Sequence, residues 1–323
     1  MRRILILGGT GFVGRALCEQ IPHSVALAGA RVLVPSRRRE RGKHLFPLPH
    51  VDVVDANVHD EATLVRLLAG CDAVVNLVAI LHGTPQAFRT AHVELVQRLV
   101  AACGKAGVRR LVHVSALGVP DDPAQAPSNY LRSKAEGEGV LRQAAAAGLS
   151  VAILRPSVIF GAQDRFLNLF AALQRVFPAM PLAGAQARFQ PVWVEDVAAA
   201  LVRLLESGRE GVYEAAGPQV LTLAELVQRA GRWSGHARPV LPIPDFAGRM
   251  QATMMGLMPG EPLMSPDNLD SMKVPNVASG RLPGLTELGI TPHALDAIGP
   301  AYLGEAGALA RQLDLWRSLA RRG

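Results

Sequence analysis

Short apolar runs alternate with longer amphipathic stretches through the first two thirds of the chain, and the two periods predict its elements. ILIL (4–7), RVLV (31–34), VDVVDA (51–56), DAVVNLVA (72–79), RRLVHVSALG (109–118) and LSVAILRPSVIFG (149–161) have the length and continuity of buried strands. Between them lie helical patterns. One runs from Phe12 to about Gln20, and another opens at Asp60 in DEATLVRLLAG. A third sets Leu95, Val96, Leu99, Val100 and Cys103 on one stripe, and a fourth carries Tyr130 and stops at Gly148. QPVWVEDVAAALVRLLES (190–207) reads as strand then helix, and GVYEAAG (211–217) as a last strand. This alternation predicts an α/β fold, a doubly wound parallel sheet covered on both faces, with ligands beyond the carboxyl ends of its strands.

From Val220 onward prolines and glycines multiply, and six of the eight methionines fall between Met250 and Met272. The expected division is a dinucleotide-binding domain over 1–164 and 188–218, with a smaller substrate or partner lobe over 165–187 and 219–323. Met250, Met254, Met255 and Met258 can share one helical face, either packed as plain core or lining an apolar pocket. Leu309, Leu313, Trp316 and Ala320 share a face of a last helix that also carries Arg311, Arg317, Arg321 and Arg322. That helix is either an ordinary amphipathic surface helix or one resting on anionic lipid.

Composition narrows the partners. The 323 residues are 49% hydrophobic and 19% charged, enough apolar matter for a sizeable core. A net charge of +7 favours anionic partners, but aromatics at 5% leave little to stack on bases, so no nucleic acid is expected. Cys18, Cys71 and Cys103 form no paired motif and read as free thiols of a reducing compartment; the dispersed histidines make no metal site. The first apolar run is too short for a signal peptide, and no stretch reaches the ~18 apolar residues of a membrane span. The expectation is a cytoplasmic protein with room for peripheral contact at the inner face of the membrane.

The candidate chemistry begins at GGTGFVG, where Gly8, Gly11 and Gly14 stand three apart between a strand and a helix. Glycines allow a tight turn and close backbone approach, and the helix start offers free N–H groups and a positive dipole end to a pyrophosphate. After the second strand, where an acid would hold the ribose 2′-hydroxyl of NAD, stand Arg37, Arg38 and Arg39. Guanidinium groups there suit a 2′-phosphate, so NADP(H) is favoured over NAD(H), with Arg37 and Arg38 as contacts; the alternative is a solvated basic loop. Tyr130 and Lys134, four apart in SNYLRSK, lie on one helical face. They are either an acid–base pair or a surface tyrosine beside a solvated lysine. His113 reads as a core residue, and Asp196 as a helix-capping acid.

GGTGFVG, NLVA (76–79), HVSALG (113–118), YLRSK (130–134), RPSVIFG (155–161) and PVWVEDVA (191–198), in this order, resemble the extended or atypical short-chain dehydrogenase/reductase superfamily over about residues 1–217. The chain is most similar to the branch containing the NAD(P)H-binding accessory subunit of complex I and its bacterial relatives. The resemblance implies a Rossmann-type sheet and assigns roles. Gly8, Thr10, Gly11, Phe12 and Val13 line the pyrophosphate, Asn57 and Val58 contact adenine, and Val78 and Ala79 flank the ribose. Pro156 and Ser157 lie near the nicotinamide, and Lys134 also bonds its ribose. Tyr130, Lys134 and Ser115 are the catalytic candidates, although the superfamily's serine or threonine aligns on either Ser115 or Ala116. An ammonium and a cationic nicotinamide should lower the tyrosine pKa from ~10 and let it exchange a proton with substrate. The implied protein is an NADP(H)-dependent oxidoreductase or epimerase-like enzyme acting on an apolar alcohol, ketone or quinone-related molecule. The alternative is a non-catalytic nucleotide-binding accessory protein of a respiratory or membrane assembly.

Overall fold

Each apolar run supplies a strand. In the computed structural model, which describes residues 1–256, 264–304 and 307, seven strands form one parallel sheet. They are β1 (Arg3–Leu7), β2 (Arg31–Ser36), β3 (Val51–Asp55), β4 (Ala73–Asn76), β5 (Arg110–Val114), β6 (Ser150–Pro156) and β7 (Gly211–Ala215). Their order is β7-β6-β5-β4-β1-β2-β3. The chain runs outward from β1 through β3, returns to place β4 on the other side of β1, and runs outward again. The reversal between β1 and β4 opens a crevice at their carboxyl ends.

The strands are apolar throughout because both faces are covered. Alternation within β1 sends Ile4 and Ile6 into one core and Leu5 and Leu7 into the other. The first core is closed by helix α1 (Phe12–Gln20) through Leu17, and by the helix Val194–Ser207 through Val197, Leu201, Leu204 and Leu205. The second is closed by α2 (Glu61–Leu68), α3 (Leu95–Ala106) and α4 (Asn129–Ala146), which contribute Leu64, Leu68, Leu95, Leu99 and Leu141. Asp60 caps α2 by accepting from Thr63 N, as its place in the sequence predicts.

A third core lies outside the sheet. Phe160, Phe170, Leu182, Phe189, Leu226, Val227, Leu295 and Tyr302 meet there, with short strand pairs joining 180–182 to 240–242 and 188–189 to 221–222. The helix Asp245–Gly256 buries Ala252 against Ala183 and Leu269, but Met250, two residues earlier and on another face, is 62% exposed. Core packing is therefore not the role of Met250. The side chains of Met254 and Met255, all of Met258 and the arginine-bearing tail fall outside the described residues. Among the described residues no helix is long and apolar enough to cross a membrane.

Asp196 corrects a second expectation. Trp193 is the N-cap of its helix and makes no side-chain cap; Asp196 instead accepts from His293 N and pairs with His293 Nδ1, both at 2.8 Å. It fastens the chain near 293 to the sheet-covering helix, a partner 97 residues away that no local pattern reveals.

Candidate active site

The glycine loop is shaped by two close approaches. Gly8 has φ +79°, and a Cβ there would lie 3.1 Å from the carbonyl carbon of Leu77 and 3.2 Å from Val78 N. The loop after β1 thus rests directly on the loop after β4. At Gly14 a Cβ would lie 2.5 Å from Gly9 Cα, so only glycine lets α1 start this close to the strand end. Gly11 is the N-cap of α1; it has no side-chain cap, and the first turn carries no acid. The N–H groups of that turn are left facing the crevice without a capping oxygen, which suits an anion. Thr10, Phe12 and Val13, from the same loop and turn, are half-buried.

Beside the ends of β2 and β3, Arg37, Ala56, Asn57 and His59 line an open pocket. The neighbouring arginines are placed differently. Arg39 gives its N–H to Asp55 (2.8 Å) and lies over Phe46, whereas the exposed Arg38 is fixed through its backbone by Ser36 Oγ. Asn57 Oδ1 accepts from His59 N at 3.1 Å, and Val58 packs half-buried against the second core. His59 Nδ1 is buried without a hydrogen-bond partner. Burial, then Arg98 and Arg37, pushes the His59 pKa below its usual value. Sequence reasoning passed over His59, whose only signal is its place two residues after Asn57.

At the ends of β4 and β5 the site becomes polar and dry. Asn76 is fully buried; its Nδ2 donates to His113 Nδ1 (3.1 Å), and its Oδ1 accepts from Val78 N (3.2 Å). This shapes the turn that presents Val78 and Ala79. Lys134 is 1% exposed and donates from Nζ to Val114 O at 3.0 Å. Burial lowers its pKa to about 8 despite the opposing charge of Glu138. Glu138 is itself engaged by Arg155, through Nε at 2.9 Å and Nη2 at 2.6 Å, and by Arg142. Burial also pushes the Tyr130 phenol up to about 12, opposite to the lowering expected from a neighbouring ammonium. Removal from water is the cause, and the Lys134 Nζ is directed to the β5 carbonyl.

Tyr130 packs against an apolar cluster that includes Ala116, Leu131 and Ala135, and Ser115, next in the chain to Ala116, is buried with its Oγ unpartnered. Ser157 Oγ donates to Asn276 Oδ1 (2.7 Å) and accepts from Gln190 N (3.2 Å), so its hydroxyl joins the sheet domain to the chain beyond it. Pro156, its neighbour, ends β6. The distal chain also holds α4: Asp267 accepts from Asn129 N (2.7 Å) and Tyr130 N (3.0 Å), adding to the Ser128 cap. Among the described residues no group of histidine, cysteine or acidic side chains could hold a metal.

Comparisons with known proteins bear on the family and the fold. The model of the NAD dependent epimerase/dehydratase family matches residues 4–216. The chain is 29% identical to Arabidopsis thaliana NADH dehydrogenase (ubiquinone) 1 alpha subcomplex subunit 9, mitochondrial, over 92% of this chain and 76% of that protein. Its fold matches a Streptomyces venezuelae dTDP-glucose 4,6-dehydratase solved with NAD, at TM-score 0.72 and 24% identity over 98% and 97% of the two chains. It also matches an Escherichia coli NADPH-dependent quinone oxidoreductase solved with NADPH, at TM-score 0.72 and 19% identity over 92% and 98%.

Proposed function

The chain belongs to the NAD-dependent epimerase/dehydratase family, and from that premise we propose that it binds NADP(H) in the β1/β4 crevice and reduces an apolar ketone or quinone-related substrate. Residues 1–164 and 188–218 form the nucleotide domain in this reading, and the remainder the substrate or partner lobe, in a cytoplasmic protein. The bare first turn of α1 suits the diphosphate. Arg37 and His59 suit the 2′-phosphate and adenosine end, with Arg38 nearby. The nicotinamide, when bound, supplies or accepts a hydride. The chain's own task is the proton. Tyr130, its pKa raised to about 12 by burial, stays protonated at neutral pH and suits donation to a developing alkoxide. Asn76 and Val114 O orient the loop and the ammonium around it.

The observation that carries this reading is Lys134, an ammonium 1% exposed and one helical turn from Tyr130. Folding gains nothing from burying that charge, whereas proton transfer beside a nucleotide ribose does. A second reading, a nucleotide-binding accessory protein of a respiratory assembly, draws on Ala116, an alanine in the apolar cluster against which Tyr130 packs, and on the complex I subunit names of its relatives. There the nucleotide stabilises the fold by RT ln(1 + [L]/Kd).

The test is NADPH oxidation with a panel of quinones and ketones, wild type against Tyr130→Phe. Loss of about 10²-fold or more in the variant supports the enzyme. Equal rates, with NADPH still raising Tm, support the accessory reading. For cofactor choice, Arg37→Ala should cost roughly tenfold in NADPH affinity and leave NADH affinity unchanged; equal effects on both would remove the phosphate assignment.

A further inference from the structure

The helical run that passes the Tyr130 ring is not uniform. Pro85–Arg89 and α3 are α-helical, but Thr90–Glu94 between them is a π turn, one residue wider. The turn brings His92 inward, where it is 2% exposed and uses both ring nitrogens. Nε2 accepts from Ile80 N at 3.1 Å, and Nδ1 lies 2.8 Å from Ser133 Oγ. Ser133 Oγ in turn donates to Tyr130 O at 2.9 Å.

These bonds admit one protonation state. A backbone N–H only donates, so Nε2 is bare. The serine proton is committed to Tyr130 O, so the hydroxyl accepts from Nδ1–H. The imidazole is neutral, in agreement with burial and the nearby Lys134 and His113, which push its pKa down to about 2. Its ring stands edge-on to Tyr130, centroids 5.6 Å apart at 84°. Contact continues along the backbone: a Cβ on Gly137 would lie 2.3 Å from His92 O, so α4 and the π turn meet only because that residue is glycine.

We infer that His92 is a positioning residue that fixes the loop after β4 against the helix of Tyr130 and Lys134. One nitrogen holds Ile80, next in the chain to Ala79; the other holds Ser133, next to Lys134. The inference rests on the nucleotide reading for its purpose, which is to hold the ribose loop and the proton donor at one separation. His92 itself serves as neither acid nor base, since its single proton and its lone pair are both spent on these bonds.

The two bonds can be cut separately. His92→Gln keeps an acceptor at the ε position for Ile80 N and loses the δ donor; His92→Asn keeps the δ donor for Ser133 and loses the Ile80 bond. NADPH affinity is read from nicotinamide fluorescence. The Tyr130 ring is read in the nucleotide-free protein by NMR of labelled tyrosine, assigned with Tyr130→Phe. The expected pattern is a split. His92→Asn weakens NADPH about tenfold and changes the Tyr130 signal only by loss of the imidazole ring beside it, whereas His92→Gln shifts the signal further, by the amount Ser133→Ala gives with the ring in place, and changes affinity by less than about threefold. Should a His92 variant fail to fold, Ser133→Ala cuts the same bond from the other side and should reproduce the glutamine pattern. The inference is overturned if both readouts move together in proportion to lost Tm, or if neither moves. If the wild type does not bind NADPH, the nucleotide reading falls by itself, and the Tyr130 signal alone decides the positioning role.

Discussion

The two ends of β5 each bury a cation, and they treat it differently. At the amino end Arg110, 5% exposed, gives its Nη groups to Ser150 Oγ (2.9 Å), Leu204 O (2.5 Å) and Arg209 O (2.6 Å). It ties the start of the strand to β6 and to the end of the Val194–Ser207 helix. At the carboxyl end the buried Lys134 reaches the carbonyl of Val114, while the nearby carboxylate of Glu138 is engaged by Arg155 and Arg142. Burial pushes both pKa values down, but Arg110 spends its two Nη groups on three fixed acceptors, with Nε left unpartnered, and stays charged, whereas Lys134 is brought down to about 8, within reach of a proton exchange near neutral pH. Unpartnered buried atoms occur at both ends: Ser115 Oγ and His59 Nδ1 at the carboxyl edge of the sheet, and Arg110 Nε at the amino edge.

Opposite substitution effects at the two cations would sharpen this contrast. Arg110→Met should lose about 2–4 kcal/mol in denaturant unfolding, because three acceptors are stranded in the interior, and leave NADPH affinity unchanged. A nucleotide defect larger than the stability loss explains would break the comparison. Lys134→Met should do the reverse, gaining about 1–3 kcal/mol at pH 7 and losing roughly tenfold or more in NADPH affinity. The sign follows from linkage. The folded pKa is about 8 and the unfolded value 10.5, so below pH 8 the ammonium is charged in both states and the burial penalty is present in full. Between those values the unfolded chain binds more protons, and wild-type stability should rise with pH while that of the methionine variant should not. A variant less stable than wild type at pH 7 would show that the lysine holds the fold together. The smallest effect is expected at His59→Ala: a loss of about threefold in NADPH affinity, with stability within about 0.5 kcal/mol.

The strands were legible because a parallel sheet buried on both faces needs near-continuous apolar runs, and ILIL, VLV (32–34) and VAIL (151–154) are such runs. The glycine loop was legible because Gly8 and Gly14 answer local backbone demands, a positive φ and a missing Cβ. The site's supporting residues were not. His92 is inward only because a π turn adds a residue, and a helical period hides that; Asn276, Asp267 and His293 act 119, 138 and 97 residues from their partners. The direction of the Tyr130 shift was missed for the same reason. Sequence shows a lysine four residues away, but not the burial that raises the phenol, to which Phe88 and His92 packing against the ring contribute. For Met250 the sequence left core packing and an apolar pocket both open, and the side chain is 62% exposed while Ala252 takes the inner position.

The most direct test of the central claim is a crystal structure with NADPH. The account predicts the diphosphate on the amides of the first turn of α1 and the 2′-phosphate in the Arg37 pocket, with the nicotinamide within hydrogen-bonding distance of the Tyr130 side of the crevice. A nucleotide bound elsewhere, or one whose nicotinamide lies away from Tyr130 and Lys134, would contradict it.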